Sequence, residues 1–105
     1  MKSLALLFLL AAAPVAAQTV VINEVMASNV ATLPDPDTGA FGDWFELYNT
    51  SSATVNLGGS YLTDVFSNKT KWRIPDGTTL APGAFLVVWA DDGNTAANAL
   101  HTNFK

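Results

Sequence analysis

Nine acidic side chains, a single histidine and no cysteine define the chemistry open to this chain of 105 residues. Asp35-Pro36-Asp37-Thr38-Gly39 puts two carboxylates two residues apart, with Asp43 close behind. Hard oxygen donors of this kind are what calcium takes, so Asp35, Asp37 and Asp43 are candidate calcium ligands. The distant bidentate Glu of an EF-hand loop is absent, and Asp and Pro also favour turns without any ion. Asp91-Asp92-Gly93-Asn94 is a second acidic cluster, expected at a strand end and in contact with water. Glu46 with Asp43 or Glu24 offers paired carboxylates, but acid–base work needs a separation that spacing alone does not supply. His101 is expected in an exposed loop, with neither a nucleophile nor an orienting group assigned to it. No catalytic residue is therefore expected, and no cofactor other than that calcium.

The elements that must carry these residues read as strands. From Thr19 onward, short runs rich in Val, Ile, Phe, Trp and Tyr are separated by Gly, Pro, Asn, Asp and Ser, and no segment has a helical period. The spacing predicts strands over 20–26, 44–49, around Val55 and Leu57, over 61–66, 71–74 and 84–90. Glu24 then shares a face with Ile22 and Met26. In 44–49, Phe45 and Leu47 face one way and Trp44, Glu46 and Tyr48 the other. Trp44 and Tyr48 are either a second buried layer or an exposed aromatic platform. Ala84 to Ala90 is apolar throughout, as a central strand covered on both faces would be. The stretch 28–42 is a long turn-rich loop, and 95–102 is expected to be a second loop. About six strands with antiparallel connections make an all-β sandwich.

Residues 1–17 read as a signal peptide. Lys2 precedes the apolar run Leu4 to Ala13, too short for the ~20 residues a membrane span needs. Cleavage after Ala17 leaves one domain, 18–105, with four Lys or Arg against nine Asp or Glu. An acidic chain without a basic stripe repels a phosphate backbone, so nucleic acid is not an expected partner, and no stable membrane span remains. Without cysteine, the fold must be held by packing alone. Asn49-Thr50-Ser51 and Asn68-Lys69-Thr70 match the glycosylation acceptor pattern.

The succession Val21-Ile22-Asn23-Glu24-Val25-Met26-Ala27-Ser28-Asn29, Asp43-Trp44-Phe45-Glu46-Leu47-Tyr48-Asn49 and Leu57-Gly58-Gly59-Ser60-Tyr61-Leu62-Thr63-Asp64 resembles the bacterial lamin-tail domain family. Trp72-Arg73-Ile74-Pro75-Asp76-Gly77 through Ala81-Pro82-Gly83 to Phe85-Leu86-Val87-Val88-Trp89-Ala90 agrees with it. The resemblance covers about Val20 to Lys105. It implies an immunoglobulin-like β-sandwich of antiparallel strands, and it implies that the family's last strands lie beyond residue 105. The expected function is a non-catalytic binding, adhesion or scaffolding module of a secreted protein, whether periplasmic, cell-surface or extracellular. Its partner is then a protein, a glycan or another domain of the same chain. The rival expectation is an accessory domain of a larger secreted hydrolase or nuclease.

Overall fold

A computed structural model describes residues 19–105. The signal-peptide expectation for 1–17 lies outside the described residues. Nine strands and no helix form among those described: β1 (Val20–Met26), β2 (Trp44–Asn49), β3 (Val55–Asn56), β4 (Tyr61–Leu62), β5 (Trp72–Arg73), β6 (Thr79–Leu80), β7 (Phe85–Trp89), β8 (Thr95–Ala96) and β9 (Leu100–His101). A five-stranded sheet in the order β1-β2-β7-β9-β8 is one layer. Two small ribbons, β3-β6 and β4-β5, are the other.

Alternation along β2 decides what lies between the layers. Phe45 and Leu47 pair with Val88 and Leu86 of β7 on the inner face; Trp44 and Tyr48 pair with Trp89 and Phe85 on the outer face. Leu47 and Val88 close against Leu57, Trp72, Ile74, Leu80 and Phe104 to form the buried core. The aromatic alternatives resolve by position. Trp44 is buried, whereas Tyr48 is half-buried and stacks on Phe85 with centroids 4.5 Å apart.

Five expectations are corrected. Two-residue strands raise the number of strands to nine, and two of them, β8 and β9, occupy the stretch expected as a loop. Their pairing partners lie far off in the chain or across a tight turn, so no local alternation announces them. The pairing of β7 with β9 is parallel, unlike the others. A register shift between Ile22 and Glu24 carries Glu24 to the outer face opposite Glu46, while Ile22 stays on the inner face opposite Leu47. One extra residue in a strand inverts the alternation beyond it. Finally, β7 is covered on both faces only at its end: Val88 and Trp89 are buried, but Phe85 is 55% exposed.

Gly58 sits at the crossing from β3 to β4 within the second layer. Its N–H bonds Asn56 Oδ1 at 3.0 Å, and a Cβ there would fall 3.0 Å from both Asp76 Cα and Gly77 N. Those atoms belong to a turn backbone that cannot swing aside. Gly58→Ala is expected to cost about 1–3 kcal/mol, as overpacking does, read as a lower urea midpoint with an unchanged slope.

Candidate functional site

Asn29 organises the long loop from within. Its Nδ2 donates to the carbonyls of Thr32 and Gly42, and its Oδ1 accepts from the Thr32 amide at 2.9 Å. Asp43 Oδ1 accepts the Asn29 N–H at 2.8 Å, so Asp43 closes the base of this loop. Further along, Asp35 makes a turn of its own. Its Oδ1 accepts the Asp37 N–H at 2.9 Å and its Oδ2 accepts the Thr38 hydroxyl at 2.6 Å. Asp35 is 2% exposed.

This turn delivers Asp37 to the far end of the chain. Asp37 Oδ1 accepts from the Asn98 amide and side chain at 3.0 and 2.7 Å, and Oδ2 accepts from the Ala99 amide at 3.0 Å. The same Oδ2 lies 2.9 Å from His101 Nε2. On the other side of the ring, Asp91 Oδ2 lies 2.8 Å from His101 Nδ1, and Asp91 Oδ1 accepts the Gly93 N–H at 3.0 Å. A Cβ at position 93 would be 3.0 Å from His101 Cβ, so only glycine lets the 91–94 turn lie against the ring. Asp35 Oδ1 stands behind, 3.6 Å from Nε2.

His101 is therefore not an exposed loop residue; it is 2% exposed, at the end of β9. Asp91, expected to meet water, is one of its two hydrogen-bond partners. The expectation failed because the residues that enclose the ring lie 10 and 64 positions away. What the sequence did offer was a chain with one histidine and two acidic turns, without a way to bring them together.

Both ring nitrogens face carboxylate oxygens, which only accept, so both must donate. An imidazolium satisfies both contacts when the two carboxylates are ionised. Burial opposes its charged form, but Asp37 and Asp91, with Asp35 behind them, outweigh that and raise its pKa above 6.5. In return, the bond from His101, assisted by the Asn98 and Ala99 amides against some burial, lowers Asp37 from 3.8 to about 2. One cation thus ties together the long loop, the turn after β7 and β9.

Of the three expected calcium ligands, Asp35 and Asp37 come together around His101, while Asp43 is turned to Asn29. Asp35, Asp91 and His101 bring donor atoms within 4.8 Å of one another. A metal ion drawn to them would compete with the imidazolium proton for the same electron pairs. Glu46, expected as one of a carboxylate pair, accepts from Asn23 Nδ2 at 2.8 Å. Its cross-strand neighbour is Glu24, not Asp43.

The family model described as Lamin Tail Domain matches residues 13–105. The chain belongs to the lamin tail domain family. The two-layer all-β arrangement is the immunoglobulin-like sandwich expected of that family. Comparison with curated proteins and with solved structures returned no match. In this lamin tail domain the motif Asp43 to Asn49 lies in β2 and just before it, and Leu57 to Asp64 spans the crossing from β3 to β4. These stretches of the resemblance frame the core, and the histidine cluster sits beside it at the end of the five-stranded sheet.

Proposed function

We propose that this lamin tail domain is a non-catalytic protein-binding or scaffolding module of a secreted or cell-surface bacterial protein, working without a resident cofactor. The observation that carries this reading is the state of His101. Each of its two nitrogens lies within hydrogen-bond distance of a carboxylate, so neither is free to take a proton from a substrate, and the ring is buried. Family membership agrees with a module of this kind, and fold alone would not decide it.

Binding surface is available where acid–base machinery is not. β1 is an edge of the main sheet among the described residues, and an edge strand presents unpaired amides and carbonyls to any strand that approaches. An open hollow of about 590 Å³, lined in part by Leu33, Pro34, Pro36, Leu86 and Val87, has no residue of β1 in its lining.

The test is a panel of chromogenic esters, glycosides, phosphodiesters and peptides offered to the purified full chain. No turnover above buffer is expected. Turnover that rises in proportion to protein and co-elutes with it on size exclusion would overturn the reading.

A further inference from the structure

Three carboxylates and one imidazole meet at the end of the five-stranded sheet, and their charges do not cancel. Asp35 and His101 are each 2% exposed, and Asp37 and Asp91 flank the ring on its two nitrogens. Even with the ring protonated, three ionised carboxylates leave two negative charges in excess. The ion pairs of Lys71 and Arg73 go to Asp64 and Asp76, so among the described residues no lysine or arginine pairs with this cluster. Buried charge is ordinarily paired or bound to a metal.

The donor atoms are close to the spacing an ion needs. One oxygen each of Asp35 and Asp91 and one ring nitrogen of His101 lie within 4.8 Å of one another. Ligands held at metal bond lengths of about 2.0–2.2 Å stand ~3–3.5 Å apart, so side-chain shifts on the order of 1 Å close the shell. Asp91 Oδ2 is 2.8 Å from Nδ1, which makes Nδ1 the nitrogen on the ion's side. Nε2 then keeps its proton and donates to Asp37 Oδ2 at 2.9 Å. Asp37 is itself fixed by the Asn98 and Ala99 amides. A carboxylate on the far nitrogen is how metal-bound histidines are oriented. Calcium takes six to eight oxygens, whereas an imidazole nitrogen with two carboxylates suits a first-row transition ion. Asp43, which calcium would need, is turned to Asn29.

We infer that Asp35, Asp91 and Nδ1 of His101 form a site for a divalent transition-metal ion of the zinc class, with Asp37 positioning the ring. The ion replaces the Nδ1 proton, which leaves to solvent, and the electron pair that held the proton becomes the metal–nitrogen bond. Two positive charges then stand where one stood, so the excess negative charge falls from two to one. A water completes the tetrahedron. This goes beyond the reading as a binding module. The ion exchanges with a proton, and its effect is to fasten the long loop, the turn after β7 and β9 to one another more firmly than the imidazolium does.

The experiment uses the full chain without a histidine tag, stripped with chelator and titrated in a calorimeter with zinc and, separately, with calcium. One zinc per chain is expected, bound about 100-fold or more tightly than calcium. His101 is the only histidine in the chain, so its ring nitrogens can be followed by NMR in the unaltered protein. Zinc is expected to shift the Nδ1 resonance and remove its proton while Nε2 keeps its own. Asp91→Asn and Asp37→Asn are each expected to weaken zinc binding about 10-fold or more, and Asp43→Asn to leave it unchanged. Thermal midpoints of the metal-free variants show whether they fold, and the ring resonances of the unaltered chain decide the matter without them.

No zinc binding, zinc bound no more tightly than calcium, or several zinc ions bound with equal affinity would overturn the inference. So would zinc that binds and leaves the His101 resonances in place. Loss of zinc in Asp43→Asn with none in Asp91→Asn would overturn it too, because the ion would then belong to the acidic loop alone.

Discussion

His101→Ala is expected to lower the free energy of unfolding by about 3–5 kcal/mol, the cost of removing one partner from a buried charge cluster and leaving the others uncompensated. Three carboxylates, Asp35, Asp37 and Asp91, would then face one another with no cation between them. Small domains have only about 5–15 kcal/mol in all, so the variant should be close to unfolded at moderate temperature. Urea unfolding at pH 6 measures this. A loss below about 1 kcal/mol would mean that the ring is not the cation holding the three segments.

The same cluster dictates a pH profile whose sign can be worked out. The folded pKa of His101 is raised above 6.5, so its contribution is fully present below the unfolded value and is lost as pH rises through the higher folded value. Asp37 is lowered from 3.8 to about 2, so its contribution is present above the unfolded value and is lost as pH falls toward 2. The thermal midpoint should therefore peak between about pH 4 and 6.5, in the window set by those two unfolded values. The alkaline fall should be missing in the His101→Ala variant. An alkaline limb of equal size in both proteins would remove the histidine as its cause.

Asn49→Asp is the second large effect. Asn49 is fully buried, and its Nδ2 donates to the carbonyls of Ala53, Leu80 and Ala81 at 2.8, 2.9 and 3.1 Å. Its Oδ1 accepts the Ser51 amide and hydroxyl. The end of β2 is thereby tied to the 50–53 turn and to the residues at the end of β6. A carboxylate cannot donate, so the substitution turns negative charge against three carbonyl oxygens. A loss of about 3 kcal/mol or more is expected from the unmade bonds and the buried charge. The loss should shrink at low pH, where the acid regains a proton to donate. A destabilisation that does not change with pH would show that the volume and not the donor mattered. Burial also separates the two glycosylation-type motifs: Asn49 is inside, and only Asn68 stands at the surface.

Much of this framework was legible in local pattern, because the physical causes are local. Strict alternation from Trp44 to Asn49 placed Leu47 in the core and Trp44 on the other face, since successive side chains in a strand point to opposite sides. Pro75-Asp76-Gly77 and Ala81-Pro82-Gly83 stopped strands because of their own backbone preferences. Several motifs in order were enough to carry the family resemblance. Glu24 shows the limit of the same reasoning: a bulge of one residue, invisible as a pattern, put it on the face opposite to the one that alternation predicts.

The residues with chemistry divide along the same line. By itself the sequence determined that this is an acidic, cysteine-free chain of β-strands with one histidine and acidic turns, because composition and period-two patterning follow from each residue and its nearest neighbours. Only the tertiary structure decided that Asp37 reaches across 64 positions to His101, that Asp91 meets the opposite side of the ring, and that Asp43 stays behind with Asn29. Such contacts depend on which strands become neighbours in the sheet. That choice is made by the burial of the whole core, where Leu47, Ile74, Val88 and Phe104 must all be covered at once, and no single stretch of the sequence states it.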